Sequence, residues 1–165
     1  MAVLDLSALA ASELQFRVER LLHTYVECID DDRLEQWPEF FTDPCLYEVL
    51  SRENADRGLA SAAVYCDSRG MLQDRVVALR HANIYAKHYY RHLVSNVVIH
   101  EVSAQAVQVR SNYAVLQTLV TGDTQIYSAG RCEDRVVSTP QGLKFASRRL
   151  IFDTYRIPNL MVTPL

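Results

Sequence analysis

Glycine is scarce, with five residues in a chain of 165, standing singly at 58, 70, 122, 130 and 142. Phosphate cradles need clustered glycines, because the backbone must approach the anion closely. A dinucleotide fingerprint and a Walker loop are therefore both excluded, and no G-x-S-x-G elbow is present to expose a serine nucleophile. Long apolar runs are missing too. The longest span only a few residues, as around Asn96-Val97-Val98-Ile99, whereas a membrane helix needs about 20. Basic surplus is absent, since 17 Lys and Arg face 20 Asp and Glu, for a formal net charge of -3 and a pI near 5.9. That balance points to neither nucleic acid nor an anionic membrane. The four cysteines, at 28, 45, 66 and 132, form no CxxC pair, and none has a histidine two or three residues away. Zinc-finger and Cys-x-His iron–sulfur spacings are thus lacking, and free buried thiols are expected. Met1 to Ala11 has no basic region ahead of its apolar stretch, so a soluble, cytoplasmic protein is expected.

What remains is an ordinary globular composition, 49% hydrophobic and 22% charged in 18.8 kDa. A chain of this length buries roughly two thirds of its unfolded surface and needs neither disulfide nor metal to hold a core. No linker or repeat divides it. The expectation is an N-terminal extension over 1–12 and one domain over 13–165.

Ser12-Glu13-Leu14-Gln15 has the form of a capping box. Leu14, Val18, Leu21, Leu22, Tyr25 and Ile29 then recur at helical spacing, which predicts an amphipathic helix to about Cys28 or Ile29. Asp30-Asp31-Asp32 should end it and cap a short second helix through Gln36. Pro38 disfavours helical geometry at Trp37, so a turn is expected there. Cys45 to Leu50 and Ala62 to Cys66 read as short strands. A further helix opens at Asp67-Ser68-Arg69-Gly70, buries Leu72, Val76 and Leu79, turns Arg75, Arg80 and Lys87 to solvent, and ends between Ile84 and His88. Tyr90 to Val102, Ala106 to Thr121, Thr124 to Thr139 and Leu143 to Tyr155 are runs rich in Val, Ile, Tyr and Thr, separated by turn residues. Each exceeds the usual strand of roughly five or six residues. Such lengths suit a strongly curved, bulged sheet. Helices first and a long meander after make an α+β fold, with helices packed on one face of a mainly antiparallel, cone-shaped sheet.

Candidate chemistry is thin. His88 and His92 are four apart, but the helix is expected to end between them and no carboxylate completes a metal site. They read as packing or hydrogen-bonding histidines. Acid–base work inside a cone would draw on Asp30, Asp31, Tyr47, His92 and Tyr127, although capping and solvation account for the aspartate run. The remaining anomaly is nine tyrosines together with Arg75, Arg80, Arg91, Arg110, Arg148 and Arg149. Tyr85, Tyr89, Tyr90, Arg91 and His92, with Asn96, concentrate at one helix–strand junction. Tyr and Arg are enriched at protein–protein hot spots, so this junction reads as an assembly surface. No catalytic, cofactor-binding or metal-ligating residue is assigned.

Specific strings carry a resemblance. Trp37-Pro38-Glu39-Phe40-Phe41-Thr42-Asp43 with Tyr47, Asp74-Arg75 with Ala78-Leu79-Arg80, and Arg91-His92-Leu93-Val94-Ser95-Asn96-Val97 resemble the small (β) subunits of aromatic-ring-hydroxylating dioxygenases, from about Leu14 onward. The resemblance implies a nuclear-transport-factor-2-like fold. It also implies a non-catalytic subunit without cofactor, assembled as α3β3 with further copies of itself and a large subunit. That large subunit would carry a Rieske 2Fe-2S cluster and mononuclear Fe(II), and a reductase would feed electrons from NAD(P)H. Asp74 to His92, with Asn83-Ile84-Tyr85, and the ending Leu160-Met161-Val162-Thr163-Pro164-Leu165 are most similar to members acting on terephthalate. The implied substrate is thus an aromatic carboxylate, terephthalate foremost. The alternatives are a salicylate- or anthranilate-type hydroxylase subunit, or a stand-alone pocket enzyme or binding module of the same fold.

Overall fold

A computed structural model describes residues 3–154 and 161–165. Helix α1, Ala11–Asp30, buries Leu14, Val18, Leu22, Tyr25, Cys28 and Ile29, one stripe at spacings of three and four. The expected capping box does not form. The helix starts at Ala11, so Ser12 is already inside it, and Gln15 instead donates to Glu19 (2.6 Å) and to the Val97 carbonyl (3.1 Å). The helix also runs through Asp30 rather than stopping short of it. A 3-10 helix, Leu34–Phe40, follows without a side-chain cap, and it carries Trp37 and Pro38 where a turn was expected. Trp37 is fully buried and its indole N–H donates to the Tyr25 hydroxyl, so tertiary packing overrides the local bias before proline.

Strand β1 is Phe41–Ser51, α2 is the short helix Arg52–Asp56, β2 is Val64–Cys66 and α3 is Arg69–His81. Ser68 caps α3 by accepting from the Met71 N–H, and Leu72, Val76 and Leu79 face inward as expected. The helix ends earlier than its pattern suggests. The Ala82 and Asn83 N–H groups both return to the Ala78 carbonyl, and Ile84 beyond them is 97% exposed, so burial offers no reward for another turn.

Four long strands complete the chain: β3 His88–Val102, β4 Ala106–Leu119, β5 Thr124–Thr139 and β6 Gly142–Phe152. The last strand was expected to reach Tyr155, but it stops at Phe152, with Asp153 and Thr154 outside any strand; Tyr155 itself and Leu160 of the ending lie outside the described residues. The six strands form one sheet in the order β2-β1-β6-β5-β4-β3. Only β1 with β6 is parallel, and the other neighbours are antiparallel. Register shifts interrupt every long pairing. One lies at Ser95/Val98, where Asn96 takes a positive φ of 52°. Such bulges add local bend and twist, so the sheet curls around α1 into the expected cone.

The interior of that cone is filled by the chain's own side chains. Tyr25, Trp37, Phe41, Tyr47 and Phe145 meet mostly edge to face at 5.1–6.2 Å. Val162 and Leu165 insert beside them. The Leu165 N–H donates to the Tyr47 hydroxyl (3.0 Å), and its carbonyl accepts from Tyr25 (2.7 Å). Arg148, grouped with surface arginines on sequence grounds, is in fact buried in this core. It pairs with Asp134 at 2.6 Å and lies over the Tyr25 and Phe145 rings at 4.4 and 4.8 Å. It sits on the inward face of β6, where an unpaired charge would be intolerable. Arg75 and Arg80 also work within the chain. Arg75 donates to the Met161 carbonyl, and Arg80 ties α3 to Asp32 and Glu35.

Candidate functional site at the mouth of the cone

The α3–β3 connection and the first residues of β3 bring the tyrosine-rich junction against the end of α1. Strand alternation divides the junction. Tyr89 (55% exposed) and Arg91 point outward, whereas Tyr90 (4%) and His92 point inward. Tyr85 rests edge-on against His88 with centroids 5.6 Å apart, and His88 lies 4.8 Å from Tyr90. The Lys87 ammonium sits 5.7 Å from the Tyr89 ring centroid. Asn96 is exposed at the bulge farther along β3. Thus the six junction residues fall into an outward set, Tyr85, Tyr89, Arg91 and Asn96, and an inward pair, Tyr90 and His92.

Asp30 is the organiser of this region. Its carboxylate accepts the His92 backbone N–H (3.0 Å) on one oxygen and meets His92 Nδ1 (2.6 Å) on the other. The Arg91 guanidinium stands 3.9 Å away. The N–H so capped belongs to β3, an edge strand with one side of its backbone unpaired, where an open donor would otherwise remain. Tyr127 of β5 lies behind Tyr90 with ring centroids 5.1 Å apart. Burial pushes both phenols above their ordinary range. Of the acid–base candidates, then, Asp30, His92 and Tyr127 come together. Asp31 pairs with Arg33 at the surface. Tyr47 is spent on Leu165 deeper in the core, its phenol pushed by burial up to about 12.

A groove of about 390 Å³ opens beside this cluster, lined by residues that include Asp30, Asp32, Tyr85, Lys87, Tyr90 and Thr163. Lys87 and Thr163 were not singled out on sequence grounds. Lys87 reads as an ordinary solvated lysine, and Thr163 is distant in sequence. The thiols offer no nucleophile. All four are buried, and burial raises Cys45 to about 11 and Cys132 to about 12, far from thiolate at neutral pH. Among the described residues no three His, Cys, Asp or Glu side chains gather as a metal site would need. No helix among them is long and apolar enough to cross a membrane.

Helices laid into a curled six-stranded sheet define a nuclear-transport-factor-2-like α+β protein. Within that class, the family model described as the ring hydroxylating beta subunit matches residues 25–159, so the chain belongs to that family. It is 45% identical over 150 residues to the anthranilate 1,2-dioxygenase small subunit of Burkholderia cepacia, covering 91% of this chain and 93% of that protein. It is 38% identical over 141 residues to a terephthalate 1,2-dioxygenase terminal oxygenase component, subunit beta 2, of a Comamonas species, covering 86% and 92%. A crystal structure from Novosphingobium aromaticivorans, assigned to the β subunit of an aromatic-ring-hydroxylating dioxygenase, superposes with a TM-score of 0.86 at 46% identity, covering 94% and 99%. The chain is thus a small subunit in an oxidoreductase system that hydroxylates aromatic rings.

Proposed function

We propose that this chain is a non-catalytic assembly subunit of an oxygenase acting on an aromatic carboxylate. The observation that carries the reading is the outward face of β3, β4 and β5. Arg91, Leu116 and Ile126 form one row across the three strands, and Leu93, Ala114 and Ala129 form the next. Leu93 and Ile126 are more than half exposed. Sheet alternation should make such a face polar if it met only water, and contiguous apolar surface marks an interaction site. Tyr85, Tyr89 and Arg91 extend this face toward the junction, and Asn96 lies exposed at the bulge beyond the Leu93 row. Tyr90, His92 and Asp30 hold from inside the strand that carries them. The packed interior supports the same reading, because aromatic side chains and residues 161–165 occupy the place a substrate would need.

The partners in this proposal are a Rieske-type large subunit, holding the 2Fe-2S cluster and mononuclear iron, and two further copies of this chain in an α3β3 assembly. A reductase supplies electrons, and the complex works in the cytoplasm. Greater likeness to an anthranilate enzyme than to a terephthalate one supports proposing anthranilate before terephthalate as substrate. The test is co-expression with the large subunit, light scattering, and turnover with reductase and NAD(P)H on anthranilate, terephthalate, salicylate and benzoate. The expected result is a mass for three copies of each chain and the highest kcat/KM on anthranilate. A stable 1:1 heterodimer would refute the assembly. Preference for an uncharged hydrocarbon would refute the substrate class.

A further inference from the structure

The outer side of α1 meets the β5–β6 turn in a second groove, of about 500 Å³. Its floor is apolar. Phe16 is 60% exposed and lies off the stripe of Leu14, Val18, Leu22 and Tyr25 that α1 buries, so the core gains little from it. Leu21, Phe40 and Leu143, all half-buried, continue that floor from α1, from the end of the 3-10 helix and from the start of β6. Charge around the floor is uneven. Both acids in the lining are matched, Glu13 with Arg17 at 2.6 Å and Glu39 with Arg69. Arg20, one helical turn beyond Phe16, and Lys144 have no ion-pair partner among the described residues. Unmatched positive charge beside an exposed aromatic ring is a local inversion on a chain of net charge -3. Arg and Phe are both enriched in protein interfaces.

We propose that this groove receives an acidic segment of the large subunit, with an apolar side chain seated against Phe16 and carboxylates beside it. Charge complementarity selects that chemistry. Arg20 offers a planar fork that can clamp a carboxylate, and Lys144 adds a point charge. Two cations are too few for a nucleic acid, which is held through many phosphate contacts. The floor of Phe16, Leu21, Phe40 and Leu143 supplies the apolar centre that interfaces place inside a polar rim. The groove shares no residue with the outward face of β3, β4 and β5. One face can therefore meet copies of this chain while the other meets the large subunit. The site presupposes the assembly role, and its test separates the two.

The experiment is dilution of the co-purified complex, read by mass photometry at about 0.05 M and about 0.5 M salt. Arg20→Glu/Lys144→Glu should raise the apparent Kd about tenfold or more at low salt, where like charges meet, and much less at high salt. Phe16→Ala should weaken assembly about tenfold at both salts, because its contribution is apolar. Arg20→Lys should lose far less than the reversal. Arg57→Glu, at the end of α2 beside Glu53, should assemble like wild type. Phe16 and Arg20 are exposed and Lys144 is half-buried, so the melting temperature of each variant chain should stay near that of wild type. Wild-type affinity in the double reversal would overturn the site while the assembly role stood. A loss confined to association of this chain with itself would also overturn it, making a second copy the occupant. Failure of the wild-type chain to join the large subunit would remove both.

Discussion

Replacing Arg148 by Met tests how the cone's interior is held. The guanidinium is almost wholly buried, as is Asp134, and they meet through one contact of 2.6 Å, leaving Arg148 Nε and Asp134 Oδ1 unpaired. Its second terminal nitrogen reaches Cys132 Sγ at 3.5 Å. Methionine fills much of the volume but strands the Asp134 carboxylate, and breaking one side of a buried pair costs about 3–5 kcal/mol. The lost stacking on Tyr25 and Phe145, worth up to about 2 kcal/mol when desolvated, is part of that sum. For a domain this size the melting temperature should fall by about 6–20 °C. The effect should depend on pH in a definite direction. Burial raises the Asp134 carboxyl and Arg148 draws it back, leaving it at about 6. A folded pKa above the unfolded value means that the group favours folding most at low pH. That contribution is lost as pH rises through about 6. Without Arg148 the folded pKa climbs further, so the loss continues above 6. The variant's deficit should therefore be small near pH 5 and complete near pH 8. Urea unfolding at both pH values measures it, and Arg148→Met/Asp134→Leu should recover much of the deficit. A deficit under about 1 kcal/mol near pH 8, or one that does not shrink near pH 5, would refute the reasoning.

Two further substitutions probe the packing. Tyr25→Phe removes the hydroxyl that accepts from the Trp37 indole and donates to the Leu165 carbonyl, and should cost about 1–3 kcal/mol. The fluorescence of Trp37, the single tryptophan of the chain, reports the unfolding directly, and an unchanged midpoint would count against the bond. Gly130→Ala should destabilise by more than about 3 kcal/mol or abolish soluble expression. An added Cβ would lie 2.0 Å from the Ile151 carbonyl oxygen, a backbone atom that cannot step aside without parting β5 from β6. Near-normal urea stability of that variant would show that the strands can separate there.

Local pattern alone determined the inward face of α1, the four long late strands and the helices-then-meander architecture, though not the short α2 between β1 and β2. Hydrophobic period and turn chemistry act over a few residues, and here they agree with the final packing. The same sequence lacks phosphate cradles and metal spacings, so its reading as a subunit rested on the strings around Trp37 and Arg91 to Val97, which the family match bears out. Tertiary structure decided what local chemistry leaves degenerate. Asp30, Asp31 and Asp32 look alike in a row, yet only Asp30 meets a histidine 62 positions away. Tyr89 and Tyr90 are adjacent, and strand alternation sends one to solvent and the other to the core. Arg148 and Arg149 form a pair in sequence, but Arg148 reaches the buried Asp134 while Arg149 pairs with Glu48 of β1. The parallel seating of β1 against β6 joins residues about a hundred positions apart. No local preference encodes such a pairing, because it exists only once the sheet has curled and the interior has closed.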